Sequence, residues 1–176
     1  PMLQMKVLQQ ARGTRISMLD SMNLWIEIAR DDLLAVMKSG DLIIINDGEV
    51  RMLAEDDNLI RASRQLIAMV GCQTLIIKKG ENGVLAFHGD DMIALPAYPT
   101  ENVVDPTGCG DSFAGTIAAC LAANNGPISK SELRDALIRA TVTASFTLES
   151  FGTTGLIGLT LEKFKLRLAQ FEEILS

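Results

Sequence analysis

No apolar stretch in the 176 residues approaches the ~20 needed to cross a bilayer. The first ten, PMLQMKVLQQ, have no basic region leading into an apolar one, so no secretory signal is visible. Positive charge is in deficit: 22 acidic residues against 16 basic give a net charge of −6. Neither nucleic acid nor membrane is an expected partner, since phosphate-backbone binding needs clustered Lys and Arg. Any phosphate site must therefore work locally, through backbone dipoles, a lysine or a metal ion. Cys72, Cys109 and Cys120 are odd in number and contain no C-x-x-C pair. That argues against a disulfide framework or zinc site and points to a reducing cytoplasm. A single histidine, His88, excludes most His-based metal and triad chemistry, and its place in LAFHGDD suits a surface turn. Repeats, low-complexity tracts and interdomain linkers are also missing.

What remains is a chain that is 48% apolar and long enough to bury a substantial core. Residues 14–19, 42–45 and 74–77 are short aliphatic or β-branched runs, separated by helical patterns over 23–38 and 56–70. That alternation predicts an α/β fold with a largely parallel sheet covered by helices. LIII and TLII are continuously apolar, as strands buried on both faces should be. Residues 83–88 and 92–95 then read as a hairpin or meander, and 112–123, 129–149 and 161–175 as helices. The second of these opens Ser-Lys-Ser-Glu, in the manner of a capping box, and the third opens Thr-Leu-Glu. The series starts as if mid-way through a set of βα units. The expectation is one catalytic portion, residues 1–176, of a longer protein.

The chemistry concentrates in Gly108-Cys109-Gly110-Asp111, which opens a helix of small residues. Glycines at a helix start let unpaired amides converge on an anion, helped by the positive end of the dipole. Asp111 is placed to meet a hydroxyl beside that anion, although on spacing alone it serves equally as a helix cap. A G-x-x-x-x-G-K-[ST] loop is missing, as is the third glycine of a dinucleotide fingerprint.

DPTGCGDSFAG closely resembles the second signature of the PfkB/ribokinase family of small-molecule kinases, usually D-T-x-G-A-G-D before a small-residue helix. Asn46-Asp47-Gly48-Glu49 resembles that family's N-x-x-E motif, and Lys79-Gly80-Glu81-Asn82-Gly83 its K-x-G-x-x-G turn. ASFTLESFGTTGL, with Ala144 and Gly152, resembles the helix and loop that close over the adenine. The resemblance runs along essentially the whole chain and matches the C-terminal half of a typical member. It implies a ribokinase-like three-layer α/β/α fold without the N-terminal half and lid.

The resemblance also implies roles. Asp111 matches the general base, and Gly108, Cys109 and Gly110 the anion hole. Asn46 and Glu49 match residues that organise Mg²⁺; without the family, a turn with a solvated Glu is the simpler reading. Lys79, Gly80 and Gly83 match the nucleotide border, in what is also a hairpin turn. Asp105 and Thr107 match positions that hold a monovalent cation such as K⁺. The implied activity is transfer of the ATP γ-phosphate to a sugar or nucleoside hydroxyl. Two other classes stay open: an ATP-sensing pseudokinase, and an inert fragment stabilised by self-association as a homodimer. Pro106 and Cys109 depart from the usual Thr and Ala. A thiol at a helix N-terminus is expected to have a lowered pKa and to be open to oxidation. Trp25, in DSMNLWI, resembles a D-T-M-N-x-W-I stretch of one bacterial kinase subgroup and reads as a packing residue.

Overall fold

The structure, a computed structural model, describes residues 1–11 and 13–176. They form two compact units: Pro1–Lys79 with Leu85–Ile93, and Gly80–Val84 with Ala94–Ser176.

Strands β1 (Met18–Asp20), β2 (Leu42–Asn46) and β3 (Thr74–Lys78) are parallel, pairing Leu19 with Ile43 and Ile43 with Leu75. The five-stranded sheet continues in chain order through β4 (Val84–His88) and β5 (Asp91–Leu95). Residues 79–83 and 89–90 are too few for parallel crossovers, so these last strands form the expected antiparallel hairpin. Leu42, Ile43, Ile44 and Ile45 are all essentially inaccessible, which is the double-sided burial that LIII announces.

In the first unit Ile43, Ile45, Leu75 and Ile77 pack with Leu33, Met37, Leu53 and Leu66, and Trp25 lies against this core. These helical residues come from α3 (Arg30–Met37), α4 (Asp47–Ala54) and α5 (Leu59–Val70). The α5 helix buries Ala62, Leu66 and Val70, one residue per turn, and Asn58 caps it by accepting the Arg61 N–H at 3.0 Å.

The single helix expected over 23–38 is two. α2 (Asn23–Ile28) ends at Ala29, whose φ of −150° and ψ of 42° are not helical. Two interactions, one local and one with a distant partner, favour the break. Asp31 and Asp32 give α3 a favourable first turn, and the Arg30 guanidinium is drawn to the Leu53 carbonyl at 2.8 Å. An unforeseen helix, α1 (Met2–Gln10), packs on α3.

The second unit is helical: α6 (Cys109–Ala122), α7 (Lys130–Leu148), the short α8 (Thr154–Ile157) and α9 (Leu161–Ile174). Ser129 accepts the Glu132 N–H at 3.1 Å and Thr160 the Lys163 N–H at 3.3 Å, so both expected helix starts carry side-chain caps. Phe113, Ile117 and Leu121 of α6 are buried, as are Leu133, Ala136, Leu137 and Ala140 of α7, and the two helices pack together.

Gly83 closes the turn before β4 with φ +81°, and a Cβ there would lie 2.1 Å from the Leu95 carbonyl oxygen. Gly83→Ala should therefore destabilise the protein by more than about 3 kcal/mol, combining a backbone clash with left-handed strain. Met92→Ala on the exposed side of β5 should stay within about 0.5 kcal/mol of the parent. Urea midpoints of the two variants test both expectations.

Candidate active site

Parallel strands present their carboxyl ends to ligands. Here those ends carry Asp20 on β1, Asn46 on β2 and Lys78 on β3, with Asn46 and Lys78 directly paired in register. The Lys78 ammonium lies 2.9 Å from Asp20 Oδ2. Asn46 begins α4 with a complete capping box: its Oδ1 accepts the Glu49 N–H at 2.8 Å, and Glu49 Oε2 accepts the Asn46 N–H at 2.9 Å.

Glu49 is only 2% exposed, which overturns the reading of a turn with a solvated glutamate. Burial pushes its carboxyl above the ordinary value; the Asn46 N–H opposes this, Asp20 adds to it, and Lys78 opposes it. N-x-x-E after an apolar strand is itself a capping-box pattern, and the structure makes it the start of α4. Lys78 is not among the residues expected at the site, yet a charged residue closing the run TLIIK is a signal of its own, because lysine is rarely placed at a buried strand without a partner. Lys79 follows it, half-buried, and Gly80–Asn82 form a single 3-10 turn.

The second unit carries the glycine loop. Val104 and Asp105 both donate their N–H to the Leu148 carbonyl, at 3.0 and 3.2 Å. Asp105 Oδ1 accepts the Thr107 N–H at 2.9 Å, and hydrogen bonds from Thr107 hold the Asp105 carboxyl below the ordinary range. Gly108 is the N-cap of α6 at φ +84°, a conformation that a side chain would strain. The first intrahelical bond runs from the Ser112 N–H to the Gly108 carbonyl at 2.9 Å. The Cys109 N–H is engaged by the Pro106 carbonyl at 3.2 Å. Among the described residues no protein group accepts from the N–H of Gly108, Gly110 or Asp111. The free amides are thus those of Gly108, Gly110 and Asp111, with Cys109's already spent.

Asp111 is exposed in the first turn and makes no cap bond, so it is not the helix cap that its type alone would suggest. No described side chain donates to it. The Cys109 thiol donates to the Ala144 carbonyl at 3.6 Å, bringing Ala144 to this loop. The expected lowering of its pKa is overturned: burial raises it, and the Asp105 carboxylate raises it further. Gly152 lies exposed in the turn between α7 and α8. Asp105, Thr107, Gly108, Cys109, Gly110, Asp111 and Ala144 therefore converge in one unit, whereas Asn46, Glu49 and Lys79 belong to the other. No three His, Cys, Asp or Glu side chains cluster as a ready metal cage among the described residues.

Residues 2–157 match the family model described as pfkB family carbohydrate kinase. The chain belongs to the pfkB family. Among curated members, cytidine kinase of Thermococcus kodakarensis is 35% identical over 124 residues, covering 68% of this chain and 44% of that enzyme. The chain spans about half the length of the solved kinases it resembles and less than half of this curated relative. Aminoimidazole riboside kinase of Salmonella enterica, solved with aminoimidazole riboside and an ATP analogue, superposes with a TM-score of 0.77 at 23% identity. It covers 92% of this chain and 56% of its own. An E. coli protein assigned as ribokinase II, solved with ATP and Mg²⁺, gives a TM-score of 0.75 at 25% identity over 94% and 52%. The α/β expectation and its ribokinase-like form are thus met, and the kinase ancestry of the chain is established.

The buried Glu49 yields a pH signature. A carboxyl whose folded pKa is raised favours the folded state when protonated; that contribution fades as pH rises through the folded value. Glu49→Gln keeps an acceptor for the Asn46 N–H but cannot ionise. Relative to the parent, the variant should gain stability as pH rises from the ordinary carboxylate range toward neutrality, which denaturant midpoints across that range will show. A difference that does not change with pH would contradict the reading.

Proposed function

We propose that this chain carries phosphoryl-transfer machinery for an ATP-dependent kinase whose acceptor is a hydroxyl of a sugar or nucleoside. The observation that supports this best is the pairing of three unspent amides, at Gly108, Gly110 and Asp111, with an exposed, unpartnered carboxylate in the same helical turn. Phosphoryl transfer demands positioning and charge stabilisation more than covalent chemistry. The amides donate to oxygens of the transferring group, where charge builds, and the positive end of α6 adds to them. Asp111 accepts the proton of the attacking hydroxyl.

The remaining roles follow the family pattern. Lys79, Gly80 and Gly83 border the nucleotide, and Ala144 and Gly152 flank the adenine. Asp105 and Thr107 suit a monovalent cation such as K⁺, since the Asp105 carboxylate stays ionised. For Mg²⁺ the relevant residues are Asn46 and Glu49. The capping box uses Glu49 Oε2 and leaves Oε1 without a donor among the described residues, which fits an ion that keeps most of its waters and takes few protein oxygens. When bound, Mg²⁺ supplies neutralisation of phosphate charge. Acceptor class follows the relatives, whose substrates are a nucleoside and a riboside.

The test is calorimetric titration with ATP, with and without Mg²⁺. Saturable binding is expected in the parent and should be lost in Gly110→Glu, which fills the amide site with bulk and negative charge. In an acceptor assay Asp111→Ala should lower turnover by about 10²–10⁴-fold while ATP still binds. A parent chain that binds no ATP, or an Asp111→Ala variant as active as the parent, would overturn the proposal.

A further inference from the structure

Threonine hydroxyls inside helices usually bond back to a carbonyl one turn earlier. Thr116, Thr141 and Thr143 do so, to Ser112, Leu137 and Arg139 at 2.8–3.0 Å. Thr147, in the last turn of α7, does not. Its hydroxyl, in a residue only 2% exposed, instead crosses to α6 and donates to Ser112 Oγ at 2.9 Å. Ser112 Oγ donates onward to the Cys109 carbonyl at 3.1 Å. The Thr147 methyl stands 3.7 Å from where a Cβ on Gly108 would be, so the same side chain packs on the left-handed residue that opens the amide site.

The next residue acts on the other side of the loop. Leu148's carbonyl accepts both Val104 and Asp105 N–H groups. Residues 106–108 are therefore bracketed, upstream by Leu148 and downstream by Thr147, which are consecutive in one helical turn.

We infer that Thr147 is a positioning residue for phosphoryl transfer: its hydroxyl, through Ser112, holds the first turn of α6 so that the Gly108, Gly110 and Asp111 amides face the nucleotide phosphates. This inference rests on the kinase reading of that loop. The hydroxyl touches no reacting atom. It fixes the orientation of the Cys109 peptide and, with it, of the two amides that follow. Losing it should cost phosphate recognition and leave adenine recognition alone.

The experiment compares Mg²⁺–ATP and adenosine affinities by calorimetry for the parent, Thr147→Val, Thr147→Ser and Ser112→Ala, with a thermal melt of each. Thr147→Val keeps the methyl packing and loses the hydrogen bond. It should weaken ATP about tenfold, the scale of one well-placed hydrogen bond, with adenosine affinity held within about twofold. Thr147→Ser keeps the hydroxyl and should bind ATP within about twofold of the parent. Ser112→Ala breaks the relay one step on and should reproduce the ATP-selective loss, deciding the matter even if the valine variant does not fold. Equal loss of ATP and adenosine would reduce Thr147 to a purely structural role and overturn the inference, as would parent-like ATP binding by Thr147→Val or Ser112→Ala. If the parent itself binds no ATP, the kinase reading falls and takes this inference with it; a binding parent with unaffected variants removes the inference alone.

Discussion

An α-helix cannot satisfy its own first amides, and the second unit is organised around that constraint. Helix starts commonly cover those donors with a serine, threonine, aspartate or asparagine side chain, as Ser129 and Thr160 do here at α7 and α9. At α6 the cap is Gly108, which has no side chain to offer, and the carboxylate within reach, Asp111, stays outside the hydrogen-bond network. Leaving amides unpaired is costly unless water or an anion meets them. A glycine start that is only half-buried keeps that option open. Only the Cys109 amide is withdrawn, by the carbonyl of Pro106, whose fixed φ helps shape the turn.

The first unit handles charge in the opposite way. Two strands buried on both faces end in Asn46 and Lys78, and a third, β1, ends in Asp20. Lys78 and Asp20 answer one another directly, and Glu49 is folded under the chain by its capping box. Desolvation outweighs the stabilising Asn46 amide and Lys78 for Glu49, so this carboxylate is under electrostatic tension in the folded protein. A cation nearby would relieve it. That is the physical sense in which the proposed Mg²⁺ role of Asn46 and Glu49 needs no cage.

What was legible in the sequence was what local patterning alone dictates. LIII and TLII read as strands, because short aliphatic, β-branched runs in a βα alternation suit burial on both sides. Ser129 and Thr160 marked helix starts by type and spacing. The glycines of GCGD announce a bare helix start by their type alone. The gaps arise where a distant partner decides. Nothing near Ala29 in sequence says that the Leu53 carbonyl will draw Arg30 across and help break a helix. Nothing near Thr147 says that its hydroxyl will prefer Ser112, thirty-five positions away, to the carbonyl one turn back. Cys109 failed for a different reason: the helix-terminus rule was sound, but burial and Asp105 together outweigh it.

That last balance bears on what the thiol does at the start of α6. A neutral thiol is a weak donor, and Cys109 spends it on the Ala144 carbonyl. Ala144, Thr147 and Leu148 stand at i, i+3 and i+4, one face of α7, and all three touch the glycine loop or the first turn of α6. Ser145, Phe146 and Glu149 form the neighbouring face and hold Arg167 of α9. Its guanidinium lies 3.7 Å from the Phe146 ring centre, 3.0 Å from Ser145 Oγ and 2.8 Å from Glu149 Oε2. The end of α7 is therefore fixed from outside by a cation held in three contacts, and it passes that rigidity inward to the loop. The Cys109 thiol adds one more tie to that anchored stripe and leaves the Gly108, Gly110 and Asp111 amides unspent.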